Sequence, residues 1–311
     1  MKDHHISRRR FIGSTALAAA GVAFASKSSF AASLLQTKPN SKINGVQIGA
    51  ITYSFRSMPG SAEQLLQYLL QCNISAIELM GDAAEAFAGA PARVSGEDYA
   101  TRAKKTADWR ASVSMDKFKE LRKMYNEAGV TIYAWKPNAL GPKNTDAEVD
   151  YAFNAGKALG VTHVTVELPT DPEQTKRLGG FADKHKLYVG YHAHTQATPT
   201  LWDTALSQAK YNAINLDIGH YTAGTSSSPV EFIVKNHERI MSIHLKDRKF
   251  HDGPNAPWGQ GDTPIAEVLK LIQKNKYKFP ATIELEYDIP KDSDAVKEVI
   301  KCWEFAAKAL S

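Results

Sequence analysis

The order of apolar runs along the chain constrains its fold more than any other feature of the 311 residues. From residue 46 onward, eight short runs rich in Val, Ile and aromatic residues alternate with amphipathic helical patterns. No glycine-rich phosphate loop follows the first run, which argues against a doubly wound sheet. We therefore predict an α/β fold in which residues 46–311 form a single (β/α)8 TIM barrel with a closed, parallel, eight-stranded sheet.

The predicted strands cover residues 46–55, 76–80, 131–135, 162–168, 187–194, 213–217, 242–246 and 281–287. The predicted helices cover residues 62–71, 116–128, 146–159, 173–185, 201–208, 229–237, 265–274 and 295–309. One long insertion, residues 82–113, follows strand two and is rich in Ala, Gly and charged residues. In a barrel this insertion would lie over the mouth, where lids occur.

The N-terminal segment has the composition of an export signal. Ser7–Gly13 holds three consecutive arginines followed by Phe, Ser14–Ala25 is weakly apolar, and small residues follow at Ala31 and Ala32. The arginine pair before Phe resembles the bacterial twin-arginine signal. We predict a signal peptide at 1–32, a linker at 33–45 and a periplasmic location, with no permanent membrane anchor because the apolar run is too short.

Charge and cysteine content exclude several classes of partner and site. The net charge is +5, but Lys and Arg alternate with Asp and Glu along the predicted helices, so we predict no nucleic-acid partner. Cys72 and Cys302 have no partners at metal-site spacing. A disulfide between them would be compatible with an oxidising compartment, although two separate buried thiols are the favoured interpretation.

Ionisable residues stand at the C-terminal ends of nearly all predicted strands, where TIM-barrel active sites lie. They are Glu78, Lys136, Glu167, His192, His194, Asp217, His220, His244, Lys246, Glu284 and Glu286. So many buried ionisable groups in one mouth require a cation or mutual pairing. We predict a divalent metal ion, and carboxylate and imidazole ligands without thiolate suit Mn, Co, Zn, Fe or Mg without selecting among them.

Asp217, His244 and Glu284 are the predicted core of the ligand set. His192 is the fourth ligand by its position on strand five, with His194 and Glu167 as alternatives. His220 could also bind the metal, but the favoured prediction is that it contacts substrate or orients Asp217.

Four motifs resemble a known family when taken in this order. They are Asp217-Ile-Gly-His220, His244-Leu-Lys-Asp247, Gly259-Gln-Gly261-Asp262 and Ile283-Glu284. They are similar to the xylose-isomerase-like sugar phosphate isomerase/epimerase superfamily, and the pair His192-Ala193-His194 is similar to its exported branch. The resemblance implies a TIM barrel with a divalent metal and a sugar substrate.

The resemblance departs from the ketose 3-epimerases at one ligand. In those members a Glu on strand five, an Asp on six, a His on seven and a Glu on eight hold the metal, and the two glutamates act as acid and base. Asp217, His244 and Glu284 match the last three, whereas His192 stands where the first Glu would be. The resemblance therefore implies the metal site more directly than the epimerase chemistry.

A metal ion bound to a sugar carbonyl acidifies the neighbouring C–H bond and stabilises an enediolate. The predicted catalytic residues are Glu284, with Glu286 as an alternative, His192, with His194 as an alternative, Glu167, and Lys246 as a neutralising cation. The predicted substrate contacts are His220, His194, Trp135, Trp258 and Glu286.

The predicted function is a metal-dependent isomerase or epimerase of a non-phosphorylated sugar or keto-sugar. Export argues against a sugar phosphate, which is a cytoplasmic metabolite. The first alternative is a lyase that cleaves 3-keto-glycosides by β-elimination, for which an oxidoreductase that makes the keto-sugar would be a natural partner. A non-catalytic sugar-binding barrel is the less favoured alternative, and an apurinic-site endonuclease is disfavoured by the absence of a basic stripe.

Overall fold

Eight parallel strands close into a barrel, which confirms the predicted fold class. The computed structural model describes residues 38–311, so the predicted signal at 1–32 lies outside the described residues. The barrel strands are β1 Val46–Ile51, β2 Ala76–Met80, β3 Thr131–Lys136, β4 His163–Glu167, β5 Tyr188–His192, β6 Asn212–Asp217, β7 Ile240–Leu245 and β8 Ala281–Ile283. Each strand pairs with its sequence neighbours, and β1 pairs with β8, for example Ile48 with Ala281.

Helices surround this sheet and cover its apolar outer face. They are α1 Ala62–Gln71, α2 Gly81–Phe87, α3 Tyr99–Ser112, α4 Asp116–Glu127, α5 Asp146–Leu159, α6 Pro172–His185, α7 Asp203–Gln208, α8 Ile218–Thr225, α9 Val230–Asn236, α10 Ile265–Asn275 and α11 Ala295–Leu310. Most boundaries fall within two residues of the prediction because capping residues mark them. Ser61 and Thr145 form capping boxes, and Gly160 ends α5 in the left-handed conformation.

The structure differs from the sequence prediction at the two ends of the strand series. Strand one ends at Ile51, and residues 52–55 form a 3-10 helix instead of continuing the strand. Strand eight ends at Ile283, so Glu284 follows the strand.

The insertion after β2 forms helices α2 and α3. Arg110 on α3 is buried and pairs with Glu85 on α2 (Nε–Oε1, 2.9 Å) and with Glu148 on α5 (Nη1–Oε1, 3.0 Å). The buried guanidinium therefore fixes the insertion against the helical ring, and the predicted lid role stays a prediction.

Residues at the start of the described chain join the floor of the barrel. The predicted linker at 33–45 includes a two-residue strand, Lys42–Ile43, that pairs antiparallel with β1. Asn44 Nδ2 donates a hydrogen bond to the carbonyl oxygen of Leu310 (2.8 Å). The first and last parts of the described chain thus meet at the end of the barrel opposite its mouth.

Small and large side chains alternate inside the lower barrel. A Cβ on Gly49 would lie 3.0 Å from the Tyr133 ring, and one on Gly190 would lie 3.2 Å from His163. These two glycines therefore make room for the large side chains of β3 and β4, as expected for layered barrel packing.

Both cysteines are buried free thiols, as the favoured interpretation predicted, and burial raises the pKa of each to about 12. Among residues 38–311, no helix is long and apolar enough to cross a membrane.

Buried His163 should make stability depend on pH. Burial lowers its pKa to about 4, whereas an unfolded histidine titrates near 6.5. Between these values the unfolded chain binds a proton that the folded chain excludes, so stability falls as pH falls from 6.5 towards 4. Between pH 7.5 and pH 5 the free energy of unfolding should fall by about 2 kcal/mol less in His163→Gln than in the unsubstituted protein, as measured by urea unfolding. The exposed substitution His251→Gln is the control, and an unchanged pH slope in His163→Gln would contradict the prediction.

Candidate metal centre at the barrel mouth

The four residues predicted as metal ligands lie together at the barrel mouth. His192 and Asp217 are the last residues of β5 and β6, His244 lies near the end of β7, and Glu284 follows β8. Each contributes one ligand atom, these atoms all lie within 4.8 Å of one another, and all four residues are buried.

The donor set fits a divalent cation. Two imidazoles and two carboxylates are suitable ligands, and bond lengths of about 2.0–2.2 Å place opposite donors about 4.4 Å apart at most, so only a small contraction is required. Asp217 has a carboxylate oxygen, Oδ2, that could bind such a cation. Within residues 38–311, its buried Oδ2 has no hydrogen-bond partner of good geometry, although Lys246 Nζ lies 3.0 Å away.

The other oxygen of Asp217 organises the local backbone. Oδ1 accepts a hydrogen bond from the backbone N–H of His220 (2.7 Å) and so caps helix α8. Gly219 is needed at the first turn, because a Cβ there would lie 2.6 Å from the carbonyl oxygen of Lys246. The motif Asp217-Ile-Gly-His220 thus places one carboxylate oxygen in a cap and leaves the other facing the mouth.

His244 lies between two carboxylates. Its Nε2 is 2.7 Å from Glu78 Oε2 and its Nδ1 is 2.9 Å from Glu284 Oε2. Burial alone would lower the pKa of His244, but Glu284 and Glu78 outweigh burial and raise it to about 10. Burial likewise favours protonation of Glu78, yet His244 lowers the pKa of that carboxyl to about 2.

Glu78 is a site residue to which the sequence analysis gave no role. It is fully buried on β2 and reaches across the barrel to β6 and β7. A carboxylate inside the apolar run Ala76–Met80 was the signal that could have identified it, because such a charge needs several partners.

Lys246 Nζ lies among carboxylates of the same centre. It is 3.0 Å from Asp217 Oδ2, 3.1 Å from Glu284 Oε2 and 2.6 Å from Glu286 Oε2. Burial opposes the charged form, but these carboxylates outweigh burial and raise the pKa of Lys246. A metal ion that binds both Asp217 and Glu284 would therefore have to displace this ammonium group, and Glu286 is the partner that could retain it.

His220 supports such a displacement. Burial, followed by the charge of Lys246, lowers its pKa to about 2, so the imidazole is neutral and accepts at one nitrogen only. Yet Lys246 Nζ lies 2.9 Å from Nε2, and Arg248 Nη1 lies 2.7 Å from Nδ1. Because only one ring nitrogen can accept, either Lys246 or Arg248 faces the N–H group of His220, which is an unfavourable contact between two donors. If Lys246 moved away, the remaining nitrogen could accept from Arg248 and this contact would be lost.

A second cluster, His192, His194 and His220, also brings three ligand atoms within 4.8 Å. Its electrostatic environment is unfavourable for a cation, because Lys246 and Arg248 both contact His220. The group that includes Asp217 and Glu284 carries negative charge and is the better metal site.

Two acid–base candidates stand on opposite sides of the mouth. Glu167 ends β4 and Glu286 follows β8, and these strands are diametrically opposed in the eight-stranded ring. Glu167 pairs with Lys136 (2.6 Å) and lies 3.6 Å from His194 Nε2. Burial raises the pKa of Glu167, but His192 and Lys136 more than compensate and lower it below its ordinary value.

The structure contradicts one predicted substrate contact. Trp135 is fully buried and packs against Phe118 and Tyr151 of the surrounding helices, so its ring cannot stack on a sugar. Trp258 is half-buried against Phe305, and its proposed contact stays a prediction.

The loop after β7 is held by a buried carboxylate. Asp247 accepts hydrogen bonds from the backbone N–H groups of Gly259 (2.7 Å), Gly261 (2.9 Å) and Thr263 (3.2 Å). A Cβ on Gly261 would overlap Asp247 Oδ1. The Gly259-Gln-Gly261 motif therefore serves loop structure.

The sequence profile described as the xylose isomerase-like TIM barrel matches residues 82–305, which is more than half of the chain. The chain belongs to this family. The motifs around Asp217, His244 and Glu284 all fall within the matched range.

Solved structures with the same fold share little sequence identity with this chain. A sugar phosphate isomerase/epimerase from Parabacteroides distasonis is 20% identical with a TM-score of 0.59, and the match covers 86% of this chain and 96% of that chain. The 3-keto-D-glucoside 4-epimerase from E. coli is 11% identical with a TM-score of 0.60, over 84% and 99%. The probable 3-DHS dehydratase from Bacillus anthracis is 13% identical with a TM-score of 0.61, over 83% and 98%. No match was found among curated proteins.

Removal of Lys246 should have opposite effects on metal affinity and on metal-free stability. In Lys246→Met the ammonium no longer competes for Asp217 and Glu284, so affinity for Mn²⁺ should rise roughly tenfold or more. The metal-free protein should lose about 3 kcal/mol, because buried carboxylates lose their partner. Calorimetric titration and urea unfolding with and without chelator measure the two effects. Lys136→Met removes a charge at the same mouth and should change affinity much less; equal effects would contradict the prediction.

Proposed function

We propose that this protein is a metal-dependent isomerase or epimerase that acts on a non-phosphorylated sugar or keto-sugar through an enediolate. The observation that carries the proposal is the buried group of His192, Asp217, His244 and Glu284 at the mouth of a barrel of this family. A divalent ion held by these residues would polarise a sugar carbonyl and acidify the neighbouring C–H bond.

The protein's own residues can move the proton. Glu167 approaches the mouth from β4, and Glu286 approaches it from the opposite side, after β8. A sugar between them would meet a carboxylate on each face, which suits removal of a proton from one face and its return to the other. Glu284 is a further candidate base, and His192 and His194 are candidate proton carriers beside Glu167.

The charges of the mouth favour a neutral substrate. Lys136 pairs with Glu167, Lys246 with Glu284 and Glu286, and Arg248 donates to the carbonyl oxygen of Gly253 (Nη2–O, 2.6 Å). Cations that are already paired are poorly placed to bind a phosphate group. This pairing supports a free sugar, keto-sugar or glycoside.

Elimination is the second candidate reaction. The same opposed groups could remove a proton from one carbon and protonate an oxygen that leaves from the next, which would cleave a 3-keto-glycoside. One structural neighbour is named as a 3-keto-D-glucoside epimerase and another as a dehydratase, so both outcomes are worth testing.

We further propose that the protein works in the periplasm after export by the twin-arginine route. The composition of residues 1–32 supports this part of the proposal. A sugar oxidoreductase that supplies keto-sugar would be a natural functional partner if the reaction is elimination.

Proton NMR in deuterated water distinguishes the candidates. Mn²⁺-loaded protein is incubated with free hexoses or with a 3-keto-glucoside, and the metal is removed by chelation before spectra are recorded. Deuterium incorporation with a new ketose or epimer is the expected result. Release of the aglycone without such exchange would establish the lyase instead. Metal binding without any turnover of either substrate would contradict the proposed function and favour a binding protein.

Two glutamates should have separable effects on turnover. Glu284→Gln should reduce both metal affinity and turnover, because it removes a predicted ligand, with turnover falling at least roughly 100-fold. Glu167→Gln should reduce turnover by a similar factor while metal affinity stays within about threefold. Turnover and Mn²⁺ affinity are measured on the same preparations, with exposed Glu231→Gln on α9 as control. Full activity in Glu284→Gln would refute its assignment.

A further inference from the structure

Glu78 lies at the centre of a buried hydrogen-bond network behind the candidate ligands. Its Oε2 is 2.7 Å from His244 Nε2 and accepts from Asn215 Nδ2 (3.0 Å), while Oε1 accepts from the Thr165 hydroxyl (2.6 Å). Glu78, Thr165, Asn215 and His244 all have no exposed surface. An ionised carboxylate only accepts hydrogen bonds, so it determines which atoms of its neighbours must be donors.

The first consequence concerns His244. Glu78 requires an N–H at Nε2, and Nδ1 faces the carboxylate of Glu284, another predicted ligand. Because Nε2 keeps its proton for Glu78, Nδ1 is the nitrogen of His244 that would bind a metal ion.

The second consequence concerns His192. Because the Asn215 amide donates to Glu78 through Nδ2, its Oδ1 points to His192 Nδ1, 3.3 Å away. An amide oxygen can only accept, so the neutral imidazole carries its proton on Nδ1 and leaves the Nε2 lone pair available.

We infer that Glu78 is a positioning residue for both imidazole ligands, directly for His244 and through Asn215 for His192. It leaves Nδ1 of His244 and Nε2 of His192 as the atoms that would bind a metal ion. This inference rests on the metal site of the proposed function. Because Glu78 has no exposed surface, it acts through the two histidines and makes no contact with substrate.

Three variants separate this role from a general contribution to stability. Glu78→Met removes every hydrogen bond of the carboxylate in a side chain of similar length. Glu78→Gln should rescue, because its amide oxygen can accept from His244 and Asn215 while its NH₂ donates to the Thr165 oxygen. Thr165→Val is the matched control, since it removes a buried hydrogen bond to the same carboxylate and leaves Oε2 untouched.

The experiment measures Zn²⁺ affinity by chelator competition and the ring protons by NMR. Long-range ¹⁵N–¹H spectra of ¹⁵N-histidine-labelled, Zn²⁺-loaded protein show which nitrogen binds the metal and which retains a proton. Signals are assigned by their loss in His192→Gln and His244→Gln. In the unsubstituted protein we expect Nε2–H for His244 and Nδ1–H for His192.

Glu78→Met should weaken Zn²⁺ binding by roughly 10–100-fold and abolish this proton pattern, while Glu78→Gln and Thr165→Val should preserve it. If Glu78→Met does not fold, Asn215→Leu tests the same idea, since it should disturb His192 most while Glu78 still contacts His244 directly. Zn²⁺ binding and ring protons that are unchanged in Glu78→Met, or in Asn215→Leu at His192, would overturn the inference and leave the proposed function intact. Failure of the unsubstituted protein to bind Zn²⁺ or Mn²⁺ would overturn both.

Discussion

Negative charge buried in the barrel mouth is the constraint on which the rest of the site depends. Glu78, Asp217 and Glu284 are removed from water, and burial of a carboxylate is unfavourable unless a cation or several donors compensate. Lys246 and His244 supply two positive charges among them. Lys246 Nζ lies within 3.1 Å of one oxygen of Asp217 and one of Glu284. A cation could therefore bind these oxygens only if the Lys246 side chain moved away. A bound divalent ion and the Lys246 ammonium would thus each neutralise the same buried negative charge.

Because the barrel is closed, these interactions join strands that are distant from one another in the sequence. Glu78 on β2 reaches His244 on β7, which lies 166 residues later in the chain. The eight strand ends converge on one mouth, so a polar residue at each end suffices to assemble a dense site. Beneath the candidate ligands, hydrogen bonds run across the barrel, for example those that join Glu78 to His244 and Asn215. The strand ends therefore carry the candidate ligands, while Glu167 and His194 are more exposed to solvent at the mouth.

The sequence was sufficient to predict the fold, most element boundaries and the residues that converge at the mouth, because periodicity, caps and strand ends are local signals. It did not predict features that depend on three-dimensional register. A bulge in the β2–β3 pairing, between Ile77 and Glu78, shifts the alternation of β3, and Trp135 faces the helices. Helix α8 was missed because its two glycines weaken the helical pattern, whereas the Asp217 cap stabilises its start. The hydrogen-bond network of Glu78 could not be predicted either, because the sequence does not show which side chains meet across the barrel.

The contact between Asn44 and Leu310 at the barrel floor has a consequence for how this protein can be handled and rearranged. The beginning and the end of the barrel sequence are joined there by a direct hydrogen bond, on the side away from the mouth. Closely spaced ends at the surface are the usual condition for circular permutation. A short bridge between these ends, with new ends opened in a surface loop, would preserve the order of strands around the ring. Surface attachment through the same floor would likewise orient every molecule with its mouth towards the solution.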